Sequence, residues 1–436
     1  MKMMDLINEL SFLDFAPVSN GTDKGNLRFM EELPFLVHEY PSGLEKNGWT
    51  VPDSWQFHKA EIKHNGKLIY DGRKHPLGVV GYSKPFKGKL NLDQLKEHLF
   101  YSKEKPDSIV FHCTHFFRPS ERDWGFCVPK QLYDSLPPGE YEIDLEVSST
   151  PGKMKVLEFT LPGKAKETIF FHAHNCHPAQ ANDDLSGIAV GIELMKKIRE
   201  MRERKYTYTL LISPELIGSY FWLDSLKEEA SSNLKYGIML KSVGNDAALK
   251  LQKSFLGDSE IDFAAMNVLR SLNPGFESGA FRRVYGNDET VFEAPGYEIP
   301  TISLTRYPFP EYHTSLDTPA ILSEQRLEEA LNVCLQAVQV LEKNVFLKRK
   351  FKGLLALSHP RYDLYQRFYN PAEKNGPSRE EVSQWYYLMT DMFRYFEANL
   401  SVLEIAEKYR LPFLEVYKYF SKFQDKNLLE FVGEEK

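Results

Sequence analysis

Four cysteines in 436 residues, Cys113, Cys127, Cys176 and Cys334, are too few and too scattered to staple so long a chain, which suits a reducing compartment. No run of 18 apolar residues occurs, so nothing reads as a membrane span. The opening MKMMDLINELSFLDF places Asp5 and Glu9 where a signal peptide would stay apolar. Basic excess is missing as well. The chain has 54 Lys+Arg against 61 Asp+Glu, and a net charge of −7 argues against a protein whose task is to grip nucleic acid. Internal repeats and low-complexity segments are also absent. What is present is 42% hydrophobic residues with 30 Phe and 23 Tyr, the composition of packed cores. A cytoplasmic protein of two or three domains is expected.

Three textures follow one another. Up to about residue 50 the chain is mixed and partly helical. From Trp49 to about Gly163, segments such as AEIKHNGKLIYDG, DSIVFHCTHFF and GEYEIDLEVSST alternate and are punctuated by Gly, Pro, Asn and Asp, which predicts a β-rich module. From Glu167 to about Asn344, strand and helix patterns alternate. ETIFFHAH, YTYTLLIS, LKYGIMLKSVG and EIPTISLTR read as strands. Ile188, Ile192, Met195 and Ile198 mark one helix, and a helix opened by Ser323 carries Leu327, Leu331, Cys334, Val338 and Leu341 on one face. The pattern predicts an α/β domain with a mixed, mostly parallel sheet flanked by helices, its chemistry at the carboxyl ends of the strands. The expected division is a catalytic α/β domain over residues 1–50 and 164–358, an inserted β-rich domain over 51–163, and a tail over 359–436. Two short helices and a strand in that tail resemble a winged helix. From Arg361 to Lys436 it holds 11 Lys+Arg against 13 Asp+Glu, so protein contact is favoured over DNA contact.

Three of the 12 histidines, His172, His174 and His177, fall within six residues at the end of one strand, and Asn182-Asp183-Asp184 follows where a helix should begin. Imidazoles and a carboxylate converging from strand ends are what zinc requires. His172 reads as an ordinary strand residue. Glu215, in SPELIGS after the next strand, is placed as a general base for a metal-activated water. PEYHTSLD supplies His313, and Asp317 is a candidate to orient that imidazole. Asp288 or Glu289 is a candidate for binding a free α-amino group. Arg306 and Tyr312 are candidates for contacting a substrate carboxylate or an oxyanion.

The segments H-x-C-H-P…ANDDLSG, SPELIGS and PEYHTSLDT resemble those of the co-catalytic zinc aminopeptidase superfamily, which includes glutaminyl cyclases and transferrin-receptor-like proteins. The chain is most similar to an uncharacterised bacterial branch of aminopeptidase-like proteins, with an inserted β domain and a C-terminal winged helix. That resemblance implies Asp183 as the carboxylate that bridges two zincs in the superfamily, His313 as the distal ligand and Glu215 as the base. His174 matches the first His ligand, slightly ahead of His177, with both open. Cys176 stands where the superfamily has an Asp that orients this His. Two departures count against two metals. Leu216 stands where a second Glu ligand is usual, and Lys241 where an Asp ligand is usual. One zinc is therefore expected, held by His174 or His177 with Asp183 and His313. The Lys241 ammonium is expected near the lost metal's position, supplying charge toward substrate or oxyanion.

The expected activity is a zinc-dependent aminopeptidase acting on peptides or small amides. The alternatives are an amide hydrolase or deacylase on an amino-sugar, and a non-catalytic binding protein with the same fold. A homo-oligomer is compatible with this reading. His112, Cys113, His115 and Cys127 lack metal-ligand spacing and read as β-domain core. The inserted domain is expected to narrow the cleft or to shape an oligomer interface.

Overall fold

The computed structural model describes residues 2–118, 121–273, 275–366 and 379–433. The chain divides into two compact units, Met1–Gln252 with Arg282–Leu331, and Lys253–Phe281 with Asn332–Lys436.

The first unit opens with helices Met3–Leu10 and Asn20–Glu32 and strand β1 (Leu36–Pro41). Next come β2 (Ser54–His64), β3 (Lys67–Asp71), β4 (Phe86–Asn91) and β5 (Glu140–Thr150). These four pair antiparallel in the order β3-β2-β5-β4. Ile62, Trp124, Phe126, Tyr141, Ile143 and Leu145 fill the core of this module. The main sheet takes up β6 (Lys153–Leu161), β7 (Thr168–His174), β8 (Thr207–Ser213), β9 (Leu234–Lys241), β10 (Lys250–Gln252) and β11 (Thr301–Thr305). Within this unit its order is β1-β6-β8-β7-β9-β11-β10. The four central strands β8, β7, β9 and β11 are parallel, so their carboxyl ends share one edge.

All seven residues of β7 are buried, which is why the sequence shows a continuous apolar run there instead of alternation. Helix Leu185–Arg199 packs on the sheet through Ile188, Ile192, Met195 and Ile198, each no more than 1% exposed. Strand β6, expected in the inserted domain, instead hydrogen-bonds between β1 and β8. It is long and apolar enough to join the main sheet, so the inserted module closes at the β5–β6 turn.

The second unit contains helices Glu260–Leu272, Arg379–Asp391, Val402–Lys408 and Phe413–Asp425. A small antiparallel sheet sets Phe346–Arg349 between Glu397–Ser401 and Leu429–Val432. Residues 367–378 and 434–436 of the expected tail lie outside the described residues. Helix Glu260–Leu272, expected in the catalytic domain, belongs to this unit for a polar reason. The Asn267 side chain donates to the Leu411 carbonyl (3.0 Å) and accepts from the Phe413 amide (2.8 Å). Arg270 grips both oxygens of Glu407 at 2.8 and 3.0 Å. No helix of the described residues is long and apolar enough to cross a membrane.

Candidate functional site

The shared edge of β7, β8 and β9 delivers His174, Ser213 and Lys241 to one place, and the loop after β11 adds Tyr312 and His313. The stretch between β7 and its helix is held by buried side chains. Asp184 caps the helix by accepting from Gly187 N (3.2 Å), and it also accepts from Ser242 N (3.0 Å) and His174 N (3.2 Å). Asn182 Oδ1 accepts from Gly244 N at 3.0 Å. Asp317 accepts from the amides of Asn182 (2.7 Å) and Asp183 (3.0 Å). Together these bonds fix the direction of the Asp183 carboxylate.

Asp183 is fully buried, and its two oxygens face different partners. Oδ2 lies 3.3 Å from His177 Nε2 and 3.3 Å from His313 Nε2. Oδ1 lies 2.6 Å from Lys241 Nζ and 3.1 Å from His174 Nε2, and the ammonium also touches His174 Nε2. Ligand atoms of His177, Asp183 and His313 lie within 4.8 Å of one another. Neighbouring ligands on a tetrahedral zinc with bonds of about 2.0–2.2 Å stand about 3.3–3.6 Å apart, which both Asp183–His distances match. His177 Nδ1 lies 3.1 Å from the Pro178 carbonyl, a bond that turns Nε2 toward the cluster. His313 Nε2 is buried 3.3 Å from Asp183 Oδ2 without a well-aligned hydrogen bond, and a bound cation would give it a partner.

Charge in this cluster is strongly coupled. Burial pushes Lys241 down, but the carboxylates of Asp183 and Glu215 override it and hold the group well above the ordinary lysine range. Burial pushes Asp183 up, yet Lys241 and three imidazoles keep it well below the usual carboxylate range. Burial, aided by Lys241, lowers His174 to about 4. A neutral imidazole that accepts from Lys241 at Nε2 carries its proton on Nδ1. That nitrogen lies 3.3 Å from Cys176 Sγ, and Cys176 Sγ lies 3.8 Å from Glu215 Oε2. Burial holds the thiol well above its ordinary value, so it keeps its proton. A chain of donors therefore runs from Lys241 through His174 and Cys176 to Glu215.

Glu215, His177, His313 and Tyr312 line a cavity of about 580 Å3, a volume typical of small-molecule sites. Its other walls include aromatic side chains, among them Trp55, Phe57, Tyr82 and Phe111 from the segment between β1 and β6. Phe111 stacks on His177 (4.8 Å between ring centres) and meets His313 edge-on (5.2 Å), while its amide donates to the His313 carbonyl at 2.8 Å. Tyr312 stacks on His313 at 3.8 Å, and its hydroxyl lies 2.7 Å from that of Tyr285. The Tyr285 ring faces the Lys241 ammonium at 5.0 Å.

The structure sorts the candidates named from sequence. His177, Asp183 and His313 converge, whereas His174 faces an ammonium. His172 Nε2 is bonded to Ser213 Oγ at 2.8 Å. Four expectations are corrected. Asp288 accepts from the Leu216 amide at 2.8 Å and from the Ser219 hydroxyl. It thereby supports the turn after Glu215, where Leu216 has φ +60°, a conformation that costs a non-glycine residue about 1–3 kcal/mol. Glu289 accepts from the Asn287 amide (2.8 and 3.0 Å) and from Gln252 (3.1 Å). Arg306 is spent on the carbonyls of Val243 (2.8 Å) and Ala247 (2.6 Å) and on Glu329 (2.7 Å). None of these three lines the cavity. Asp317 holds backbone amides of the Asp183 loop and not the His313 imidazole. Phe111, Cys113 and Tyr285 were missed as cavity residues. Only the aromatic richness of FHCTHFF hinted at the first two, and that hint also fits an ordinary β-domain core.

The mixed α/β fold thus brings a His–Asp–His cluster and an acid to the carboxyl ends of its parallel strands. The chain belongs to the family described as "Domain of unknown function (DUF4910)", whose profile matches residues 4–344. A Clostridium acetobutylicum protein named "Putative polysaccharide biosynthesis protein with aminopeptidase-like domain" is 30% identical over 346 residues, 79% of this chain and 78% of that one. A crystal structure of a "putative peptidase" from Clostridium acetobutylicum superposes with a TM-score of 0.83 at 26% identity, covering 99% of this chain and 96% of that one. The zinc aminopeptidase of Bacillus subtilis superposes with a TM-score of 0.56 at 15% identity, over 77% of this chain and 93% of that one. The aminopeptidase of Aneurinibacillus sp. strain AM-1 gives 0.54 at 15%, over 78% and 93%. With these two the chain shares the fold.

Proposed function

We propose that the chain is a zinc-dependent amide hydrolase of the aminopeptidase type, acting on peptides or small amides with Glu215 as general base. The supporting observation is Asp183 Oδ2 set 3.3 Å from two imidazole Nε2 atoms, beside the cavity that Glu215 lines. His177, Asp183 and His313 would hold the ion. Held there, zinc would supply Lewis acidity toward a water and an amide carbonyl. Glu215 takes the proton of the attacking water and returns it to the leaving amine. Cys176 and His174 aim that carboxylate. The Lys241 ammonium keeps Asp183 ionised, and the Tyr285 and Tyr312 hydroxyls lie beside the site as donors for developing negative charge. The aromatic walls exclude water and bind an apolar or ring-shaped part of the substrate.

The test is Glu215→Gln. It should lower kcat by about 10²–10⁴-fold, the usual contribution of a positioned acid–base group, while elemental analysis finds the zinc content unchanged. Full turnover by the variant, or loss of its zinc, would reject the role.

A second reading is favoured by one specific observation. Asp288 and Glu289 bond backbone and side-chain groups away from the cavity, so neither is available to a free α-amine. Aromatic walls suit the apolar face of a sugar ring, and the 30% identical relative is named for polysaccharide biosynthesis. On this reading the substrate is an N-acylated amino-sugar and the product acid is released from nitrogen. Turnover of substrates with free against blocked amines separates the two, since an aminopeptidase requires the free amine. The tail of the second unit is proposed as a winged-helix-like module for protein contact, supported by its surplus of acids over bases.

A further inference from the structure

We infer that the Lys241 ammonium is a resident cation filling a second metal position, so that the native chain takes one divalent ion and a single substitution opens a site for another. This rests on the proposed reading of His177, Asp183 and His313 as the occupied site.

His174 Nε2 and Asp183 Oδ1 lie 3.1 Å apart, close to the separation of about 3.3 Å between neighbouring ligands on a tetrahedral zinc. The lysine nitrogen touches both, at 2.6 Å from the oxygen. All three residues are no more than 1% exposed. With the ammonium against both, His174 presents its Nε2 lone pair and Asp183 its charge to the same nitrogen, and neither buried acceptor is left facing the other. The chain supplies this cation covalently.

An ammonium differs from a metal ion in what it brings. It carries one charge, it cannot dissociate, and it offers no open coordination position. It orders Asp183 and His174 whether or not metal is available, and it leaves only the His177 side of Asp183 open to exchange. The position is at the end of β9, where an aspartate plus a zinc–oxygen bond spans roughly the reach of an extended lysine. Lys241→Asp would thus remove the resident cation and supply a third ligand beside His174 and Asp183. Lys241→Met removes the charge and adds no ligand.

The experiment counts metal on stripped, refilled protein, by elemental analysis and by titration with Co2+ followed through its visible absorption. Thermal unfolding of each form shows that it is folded. The expected result is one ion for wild type, two for Lys241→Asp and one for Lys241→Met. Two ions in wild type, or only one in a folded Lys241→Asp protein, would overturn the inference and leave the hydrolase reading standing. No ion in wild type would instead overturn the zinc reading itself. If Lys241→Asp does not fold, Lys241→Glu and Lys241→His carry the same prediction, and a count of one in both overturns it.

Discussion

Asp317 is the residue whose corrected role is most open to measurement. Its two carboxylate oxygens accept from the buried amides of Asn182 and Asp183 at 2.7 and 3.0 Å. Burial lifts this carboxyl to about 7, so its bonds fall between the neutral and the charged case, about 1–3 kcal/mol each, and Asp317→Ala should cost about 2–6 kcal/mol in all. Asp317→Asn keeps one oxygen and should lose about half of that. Part of the loss appears as reduced global stability. The rest appears as freedom of the Asp183 carboxylate, which weakens the metal site. Removing a group that supports a ligand typically lowers metal affinity by about 10–100-fold, and Asp317→Ala is expected at the upper end of that range. The assay is zinc affinity by chelator competition, with thermal unfolding in parallel, on wild type, Asp317→Asn and Asp317→Ala. The expected ranking is wild type, then Asn, then Ala in both readouts. Wild-type behaviour of Asp317→Asn beside a full loss in Asp317→Ala would show that the second oxygen accepts nothing. Unchanged zinc affinity, with only the His313 protonation altered by NMR, would return Asp317 to the imidazole-orienting role.

Two further outcomes follow from the same structure. Burial lifts Glu289 from an ordinary 4.5 to about 7, so the folded state holds a proton that the unfolded chain has already released. The associated stability is complete below pH 4.5 and is lost as pH rises through 7, on the order of 3 kcal/mol in total. Glu289→Gln should therefore gain on wild type in urea midpoint between pH 5 and 8, and a gap independent of pH would contradict this. Phe111→Ala removes a ring stacked on His177 and edge-on to His313. At about 0.5–1.5 kcal/mol per aromatic contact, zinc affinity should fall about tenfold or more. Phe111→Leu should recover part of it, and wild-type affinity in Phe111→Ala would show that the ring does not position the ligands.

The sheet was legible because its central strands are buried on both faces and write uninterrupted apolar runs, as in Ile169–Phe171. The site was legible in kind, since Asp183, His313 and Glu215 each follow a strand or open a helix. Three things were not legible, each for a physical reason. Which of His174 and His177 shares an Asp183 oxygen with His313 depends on where the Lys241 side chain ends, which is a fact of three-dimensional reach and not of spacing. Asp288 and Glu289 look like a solvated acidic turn, but they accept from buried donors whose need for a partner appears only after folding. Residues 260–272 lie inside the span expected for the α/β domain. Their allegiance is decided by Asn267 and Arg270, which meet groups about 140 residues further along the chain.

On the proposed reading Asp183 serves two cations, and this division would let Glu215 be aimed before any metal arrives. The Lys241 ammonium fixes one carboxylate oxygen and, by donating to His174 Nε2, also fixes that ring's tautomer. The proton left on Nδ1 points at Cys176 Sγ (3.3 Å), and the thiol is then free to donate toward Glu215 Oε2 (3.8 Å). Each step depends only on groups covalently part of the chain. An ordinary metal ion at the Lys241 position would place the same demands on His174 but would release them on dissociation. The opposite oxygen of Asp183, facing His177 and His313, remains the exchangeable side. Lys241→Met consequently disturbs more than charge: it frees the His174 tautomer, and with it the direction of the Cys176 thiol against Glu215.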